Sequence, residues 1–291
     1  MVNGFRTRNW SWLAVLALAA PFAIHHSPFT TAHAAPDIEP ASPIDTEVLV
    51  RVVGHGSMVL GDDVGGARVT ITDIETGQIL ASGLQRGESG DQNQIMRTPR
   101  IMEEPQYSTR PSASFHATLQ LRKPTVVEIA ALGPLAYPQA TRRISTTVLL
   151  LPGRDVTGDG IVLPLYGFIV QIEQPKPGDI QMAKRDVTLQ ASVRTMSGAL
   201  VRPHGDWDSR KIEIAGEVIA GDRVIERLQF FYAGKSALFE APFTVPALRD
   251  APNGVTVRVI AVDRSRGHFG IGTAEFPVVA EQFKPAPKKE R

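Results

Sequence analysis

The stretch Thr146–Ile172, TTVLLLPGRDVTGDGIVLPLYGFIVQI, contains two apolar runs separated by a short polar segment. Val, Ile, Leu, Tyr and Phe dominate both runs, 146–151 and 161–172, and these residue types favour β-strands. The intervening positions 152–153 and 157–160 read Pro-Gly and Thr-Gly-Asp-Gly, which are turn-forming sequences. The pattern therefore predicts a β-hairpin in the middle of the chain.

Strand signals of the same kind continue on both sides of this stretch. Glu47–Val53 and Val187–Arg194 place apolar residues at alternating positions, as a strand with one buried face does. Further short strands follow up to residue 279, separated by turns that contain Gly or Pro, and no long amphipathic helical pattern interrupts them. The predicted fold class is all-β, with two tandem β-sandwiches of Greek-key type.

The segment 65–84 predicts a second hairpin and carries a family resemblance. Its arms are Arg68–Asp73 and Gln78–Ser82, with turn residues at 75–77. It resembles the early strands of transthyretin-like and carboxypeptidase-regulatory-like β-sandwich modules. The residues that match those modules are Gly66, Ala67, Val69, Ile71, Asp73, Thr76, Gly77, Leu80, Ala81 and Gly83. The resemblance implies a noncatalytic Greek-key sandwich, often an accessory or adhesion module.

The segment 253–279 resembles the last two strands of many bacterial immunoglobulin-like domains. The residues that carry this resemblance are Asn253, Gly254, Val257, Val259, Ala261, Asp263, Gly272, Ala274 and Phe276. It implies an immunoglobulin-like sandwich in the second half of the chain. Domains of that kind are mostly spacers, adhesins and accessory modules, so the resemblance concerns the fold more than the function.

These patterns predict a definite order of segments. Pro175 and Pro177 stiffen the backbone and predict a domain boundary between the two sandwiches. The predicted segments are a signal peptide at 1–34, a leader at 35–43, a transthyretin-like sandwich at 44–174 with an insertion loop at 85–112, a linker at 175–178, an immunoglobulin-like sandwich at 178–281 and a basic tail at 282–291.

The first 34 residues predict export. Arg6 and Arg8 precede the apolar run Trp10–Ala23, and Ala32-His33-Ala34 forms a cleavage pattern. The apolar run is shorter than a membrane span needs, so we expect cleavage after Ala34 and a periplasmic or secreted protein without a remaining membrane span. An uncleaved anchor is the alternative.

The amino-acid composition excludes several kinds of site and argues against one class of partner. The chain contains no cysteine, which excludes disulfides, thiolate metal sites and a cysteine nucleophile. The signal segment holds two of the 31 basic residues and none of the 30 acidic ones, so 29 basic residues face 30 acidic ones afterwards, a formal charge of −1. This balance, without basic–aromatic clusters, argues against a nucleic-acid partner. We expect another envelope protein or a surface polymer instead.

The insertion loop 85–112 has two open interpretations. Its charges, glycines and prolines are typical of an irregular segment, and a loop this long is unusual in a compact domain. It is either a functional binding loop, with Tyr107 as a candidate ligand-binding residue, or a mobile insertion. Its composition favours the second interpretation.

Two weak metal sites appear in the pattern. Asp155, Thr157, Asp159 and Gly160 resemble the first half of a calcium loop, but the positions that should supply the later ligands are Leu163 and Tyr166. A polar hairpin turn is therefore the favoured interpretation. His55 and Met58 lie close enough in sequence for a turn to bring both to a copper ion, and the alternative is a turn histidine beside a core methionine.

The two remaining candidates for functional residues are the aromatic Trp207 and the hydroxyl-bearing Ser57. Trp207, in the polar loop around residues 203–210, is the best candidate for an exposed sugar-binding aromatic, but the favoured interpretation is that it covers the edge of the sandwich. Ser57 lacks the glycine pattern and following helix of a nucleophile elbow. We therefore predict a noncatalytic, cofactor-free binding, accessory or assembly module, with a copper-binding or delivery protein or a carbohydrate-binding module as alternatives.

Overall fold

The computed structural model describes residues 42–280, except 103, 109, 110 and 236. The predicted signal peptide, most of the predicted leader and the basic tail lie outside the described residues. The described chain is almost entirely β-structure, which confirms the predicted fold class. The helical elements in this range are α1 (Gln92–Met96) and the 3₁₀ turns Asp62–Val64, Pro138–Ala140 and Ser209–Lys211.

The first seven strands enclose one hydrophobic core, here called the first core. They are β1 (Ile44–Gly54), β2 (Ala67–Asp73), β3 (Ile79–Gln85), β4 (Phe115–Leu121), β5 (Thr125–Gly133), β6 (Arg142–Leu150) and β7 (Val156–Leu165). They form two sheets, in the orders β4-β1-β7 and β3-β2-β5-β6. Alternating residues of the facing sheets, such as Val50 and Ile71, are fully buried between them. The β2–β3 pairing confirms the predicted hairpin in 65–84.

The remaining strands enclose the second core. They are β8 (Phe168–Gln174), β9 (Gln181–Met182), β10 (Asp186–Thr195), β11 (Val201–Arg202), β12 (Trp207–Asp208), β13 (Glu213–Ala220), β14 (Arg223–Gln229), β15 (Phe231–Tyr232), β16 (Leu238–Thr244), β17 (Val255–Asp263), β18 (His268–Phe276) and β19 (Val278–Val279). The facing sheets have the orders β15-β16-β10-β8 and β14-β13-β17-β18, and short pairs β11-β12 and β19-β9 lie beside them. Along β17, Val255, Val257, Val259 and Ala261 point inward by strict alternation.

The predicted hairpin in Thr146–Ile172 is wrong. Its first arm, within β6, pairs antiparallel with β5, and β7 pairs parallel with β1. The second arm is divided between β7 and β8, and β8 pairs antiparallel with β10 of the second core. Both apolar runs are strands as predicted, but their apolar patterns do not encode which strand lies beside them. The change from one sandwich to the other falls at Tyr166–Gly167, between β7 and β8.

The predicted linker 175–178 lies inside the second group of strands. It connects β8 to β9, and the Gly178 N–H donates to the carbonyl oxygen of Glu275 at 2.9 Å. Strand β8 also contacts both cores, since Ile169 belongs to the first core whereas Phe168 and Val170 belong to the second. The two cores therefore share a strand where a separate linker was expected.

The insertion 85–112 packs against β1. Ile95 of α1 forms a small cluster with Val53, Val59 and Ala113. Val53 lies on the face of β1 that is turned away from the first core. Asp91 caps α1 by accepting hydrogen bonds from the N–H groups of residues 93 and 94. These contacts correct the interpretation of the insertion as a mobile segment, as far as its described residues are concerned.

Candidate binding site at the junction of the two cores

The turn Gly54–Met58, here called the junction turn, brings the first sandwich against the second. It is closed by a hydrogen bond from Gly54 N–H to the Met58 carbonyl, and His55 N–H donates to the Leu165 carbonyl. A Cβ on Gly54 would lie 3.2 Å from the backbone nitrogen of Ser197. Glycine at position 54 thus permits a close approach of the two sandwiches.

Three buried hydroxyl groups link the junction turn to the second sandwich. The Ser57 Oγ lies 2.7 Å from the Ser197 Oγ and 3.0 Å from the Thr195 Oγ1, and the last two are 3.2 Å apart. All three residues are buried. Since each hydroxyl both donates and accepts, the group satisfies much of its own hydrogen bonding. Ser57 has hydroxyl partners rather than a histidine base, which a serine nucleophile would require.

A second contact joins His55 to His268, which lies at the start of β18. The Nδ1 of His55 is 3.2 Å from the Nε2 of His268, and Tyr166 stacks on the His55 ring with 4.0 Å between ring centroids. Gly167 N–H donates to the Nδ1 of His268 at 3.0 Å. The same Nδ1 lies 3.3 Å from the Gly167 carbonyl oxygen, so the tautomer of the neutral His268 ring sets which of its two nitrogens donates. Burial lowers the pKa of His268 and favours this neutral form.

The copper hypothesis paired His55 with Met58, and the structure places their side chains in different surroundings. The His55 ring lies against Tyr166 and His268, whereas Met58 packs against the second core and lines a cavity beside Trp207. Within the described residues, no three His, Cys, Asp or Glu side chains converge as a metal cluster. Copper binding stays a prediction.

The acidic residues of the calcium-like segment bind backbone amides. Asp155 accepts a hydrogen bond from the N–H of Glu47 at 2.9 Å. Asp159 accepts three, from Gln106 at 2.7 Å, Tyr107 at 2.8 Å and Ser108 at 3.0 Å. Asp159 therefore holds the insertion against β7. The predicted hairpin turn at this position is wrong, because residues 157–160 bulge from β7 while it continues along β1.

Thr157 and Tyr107, the other two residues predicted as ligands in this region, lie in different surroundings. Thr157 is exposed and lines a separate cavity of about 360 Å³ on the outer side of β1, β4 and β7. Tyr107 packs against the small cluster under the insertion, and burial raises the pKa of its phenol. The buried Arg51 donates to the Gly158 carbonyl at 2.8 Å beside it. Tyr107 thus anchors the insertion, and its candidate ligand-binding role stays a prediction.

Trp207 is buried, in line with the favoured interpretation that it covers the edge of a sandwich. Only 1% of its surface is accessible. Phe168 and His268 pack edge-to-face with its ring at centroid distances of 5.7 and 4.9 Å, and the Arg266 guanidinium carbon lies 4.1 Å from the ring centroid. The loop around Trp207 is polar. Its partners come from β8, from β18 and from the β17–β18 connection, and the local sequence around Trp207 does not reveal these contacts.

The indole nitrogen of Trp207 has no hydrogen-bond partner among the described residues. Buried polar groups are usually paired, and an unpaired one costs about 1–3 kcal/mol. Trp207 also lines a cavity of about 240 Å³, whose other walls include Met58 of the junction turn and Leu200 and Arg202 of the second sandwich.

The insertion closes one side of this cavity. Arg97 of the insertion donates from Nε and Nη2 to the two carboxylate oxygens of Asp206 at 3.0 and 3.1 Å, and Gln92 donates to Asp206 at 2.7 Å. The hydrogen bond from Arg97 lowers the pKa of Asp206. Because Gln92, Asp206 and Trp207 all line the cavity, the ion pair joins the two sandwiches at its rim.

His268, Arg266 and Tyr166 were not predicted as parts of a site. His268 lies 213 residues from His55, and no local pattern connects them. A usable signal was present in β18, where Gly270 and Gly272 occupy inward positions. A Cβ at these glycines would lie 2.6 and 2.7 Å from the carbonyl oxygens of Phe168 and Val170. Inward glycines in a strand indicate close approach of another backbone, here β8.

No helix within the described residues has the length and apolar character of a membrane span. No protein-family model matches the chain, and no curated protein matches it.

Among solved structures, the fibronectin(III)-like modules of CbhA from Clostridium thermocellum are similar over 83% of this chain and 97% of theirs, with 11% identity and a TM-score of 0.27. A titin fragment is similar over 82% of this chain and 99% of its own, with 13% identity and a TM-score of 0.25. Dpr2 Ig1-Ig2 in complex with DIP-Theta Ig1-Ig3 covers 83% of this chain and 96% of its own, with 8% identity and a TM-score of 0.25. Likenesses this distant carry no conclusion about function.

Proposed function

We propose that the protein is an exported, noncatalytic binding module whose two β-sandwiches act as one body and hold a ligand in the cavity at their junction. The observation that carries this proposal is a cavity of about 240 Å³ with walls from both sandwiches, formed by Met58 of the junction turn on one side and by Leu200 and Arg202 on the other. Cavities with few but specific polar groups are typical of ligand sites.

The junction supports a preformed site. Two sets of contacts from opposite sandwiches flank the cavity: the hydroxyl group of Ser57, Thr195 and Ser197, and the ion pair of Arg97 with Asp206. The shared strand β8 adds a covalent and packed connection between the cores. A site whose walls are held in place loses less entropy on binding.

The proposed location of the protein and its proposed macromolecular partner are inferred from the sequence. The charged start, apolar run and cleavage pattern of residues 1–34 support export to the periplasm or beyond. The transthyretin-like and immunoglobulin-like resemblances support an accessory role beside an envelope protein or a surface polymer. We place the boundary between the sandwiches at Tyr166–Gly167, where strand pairing changes.

Carbohydrate binding by stacking on Trp207 receives less support, because the ring faces are not open to solvent. Copper delivery receives less support as well, because the ring of His55 lies against Tyr166 and His268 whereas Met58 packs against the second core.

Native mass spectrometry of the protein purified from its own host tests the proposal. We expect a non-covalent small molecule on the wild-type protein that is lost in Leu200→Trp, which fills the cavity. Leu248→Trp is the matched control, because Leu248 is 38% exposed and Leu200 40% exposed. A wild-type protein that carries no small molecule, or one that Leu200→Trp retains, would contradict the proposed site.

A further inference from the structure

We infer that the protein forms a two-fold symmetric dimer in which strand β6 of the first sandwich pairs antiparallel with β6 of a second copy. This interface goes beyond the proposed function, because β6 contributes no residue to the wall of the junction cavity. Three properties of β6 point to it: a free edge, an uncharged apolar sequence and a residue pattern that is symmetric about the middle of the strand.

Strand β6 is the outer strand of its sheet. It pairs with β5 over Arg142–Leu150 through nine consecutive residue pairs without a register shift. The sheet order β3-β2-β5-β6 gives it no strand on its other side within the part of the chain that the structure describes. In an antiparallel sheet about half of the backbone N–H and C=O groups of an edge strand point away from the sheet. Those groups of β6 are available to another strand.

Several other edge strands are less suited to such pairing. Strands β3, β7 and β14 each pair with a register shift, and β7 also contains Pro164. Bulges and prolines hinder the addition of a further strand. Strand β4 pairs without a shift, but its apolar side chains Leu119 and Leu121 are already buried.

Strand β6 exposes apolar side chains and carries no charge over most of its length. Residues 144–150 read ISTTVLL, without a charged residue, a proline or a glycine. Ile144 and Val148 pack against the first core but are only partly buried, and Leu149 is 59% exposed. Proteins usually protect a strand edge with charges or prolines, because such a sequence otherwise pairs with another chain. This edge is therefore built to be covered.

The residue pattern of β6 identifies a second copy of the chain as the partner. Thr146 is the central residue of Arg142–Leu150, so two antiparallel copies overlap along the whole strand when Thr146 lies opposite Thr146 of the second copy. Ser145 then lies opposite Thr147, and both side chains are on the exposed face of the sheet. Cross-strand pairs of hydroxyl residues stabilise a sheet.

The same register suits the apolar and the charged residues of β6. Ile144 lies opposite Val148 of the second copy, and both face the first core, so the two cores become continuous. The arginines at 142 and 143 lie opposite leucines, so no two like charges face each other. The stem of Arg143 can cover the exposed Leu149 opposite it. The two four-stranded sheets thus join into one sheet.

Analytical ultracentrifugation over a range of protein concentrations tests the dimer. The wild-type protein should show a monomer–dimer equilibrium. Thr146→Lys places two lysines opposite each other and should raise the dissociation constant of the dimer about 10-fold or more. Thr118→Lys, at the centre of the uninterrupted edge strand β4, is the matched control and should leave the dimer intact. A wild-type protein that stays monomeric, including one that binds a different protein at β6, overturns the inference, and so does a dimer that Thr146→Lys does not weaken.

Cysteine cross-linking tests the register and remains decisive if Thr146→Lys does not fold. The chain contains no cysteine, so a single introduced thiol can bridge only to another copy. Residues directly opposite each other in an antiparallel pair have Cα atoms about 4.5–5.5 Å apart, which suits a disulfide. Thr146→Cys should therefore form a covalent dimer on mild oxidation.

Two further cysteine variants serve as controls for this register. Arg143→Cys and Leu149→Cys should each fail to cross-link alone, because each lies six positions from its own counterpart, and should cross-link when the two variants are mixed. No disulfide in Thr146→Cys, or a disulfide in Leu149→Cys alone, overturns the pairing centred on Thr146.

Discussion

The Nδ1 of His55 lies 3.2 Å from the Nε2 of His268, and this contact joins two residues that are 213 positions apart in the chain. One histidine belongs to the junction turn of the first sandwich and the other begins β18 of the second. The buried member of the pair, His268, also lies within hydrogen-bond distance of the N–H and the carbonyl oxygen of Gly167. Its protonation state therefore bears on the stability of the junction.

We expect the free energy of unfolding to fall as the pH drops below about 6.5. Burial holds the folded pKa of His268 below its ordinary value of 6.5. In the range between these values the unfolded chain binds more protons, so stability is fully present above the unfolded pKa and declines toward the folded one. The charges of His55 and Arg266 lower this pKa further, whereas the Gly167 backbone and the Asp263 carboxylate act in the opposite direction.

Urea unfolding at a series of pH values measures this effect. His268→Gln should flatten this dependence below pH 6.5. The carboxylates of Asp206 and Asp208 do not titrate in this pH range. Hydrogen bonds from Arg97 and Arg210 lower their pKa values, so the stability that these carboxylates contribute is lost only in more acidic solution. An unchanged dependence in His268→Gln would remove His268 as the titrating group.

Asp159→Ala should loosen the insertion without any effect of calcium. The change deprives the N–H groups of Gln106, Tyr107 and Ser108 of their acceptor, and hydrogen bonds to a charged group contribute about 1.5–3 kcal/mol each at most. We expect a loss of about 2–3 kcal/mol and faster amide exchange at 106–108. Asp155→Ala, which removes a single acceptor contact at the surface, is the milder control.

Melting curves in calcium and in EDTA complete this experiment. Both should coincide for the wild-type protein, because backbone amides already occupy the Asp159 oxygens. A rise in melting temperature with calcium that Asp159→Ala abolishes would instead restore the calcium loop.

Gly270→Ala should destabilise the second sandwich. The new Cβ would lie 2.6 Å from the carbonyl oxygen of Phe168 and 2.7 Å from its Cβ, so β8 and β18 would have to separate. Such overpacking costs about 1–3 kcal/mol. Thr273→Ala, at an exposed position of the same strand, is the control for strand propensity. Equal unfolding free energies for Gly270→Ala and the wild type would show that the two strands are not in close contact.

Asp206→Asn should open the insertion side of the cavity more than it destabilises the fold. The Arg97 side chain is 54% exposed, and exposed ion pairs contribute little to stability. Limited trypsin digestion should nevertheless cut faster after Arg97 and Arg100. Glu213→Gln, which breaks the exposed pair with Arg264, should leave the digestion rate unchanged. Protection of both arginines in Asp206→Asn would mean that other contacts hold the insertion.

The sequence was informative where neighbours in the chain are neighbours in space. The hairpin of β2 and β3 was predicted because its arms and turn are local. The two runs in Thr146–Ile172 were correctly predicted as strands, but an apolar strand fits many partners. Strand β7 pairs with residues of β1 that are more than a hundred positions away, and β8 pairs with β10 in the second sandwich, and neither partner is encoded in the runs themselves.

The junction site was beyond local reasoning for the same reason. Trp207 lies in a polar loop, and its burial comes from Phe168, Arg266 and His268. Asp159 resembled a calcium ligand because a carboxylate beside a glycine also suits a bulge that binds amides. The inward Gly270 and Gly272 were the readable sign that two strands cross there.

The most direct test of the binding site is an experimental structure of the protein purified from its own host. We predict a non-protein molecule in the cavity lined by Met58, Leu200 and Trp207. A cavity that holds only water would contradict the account.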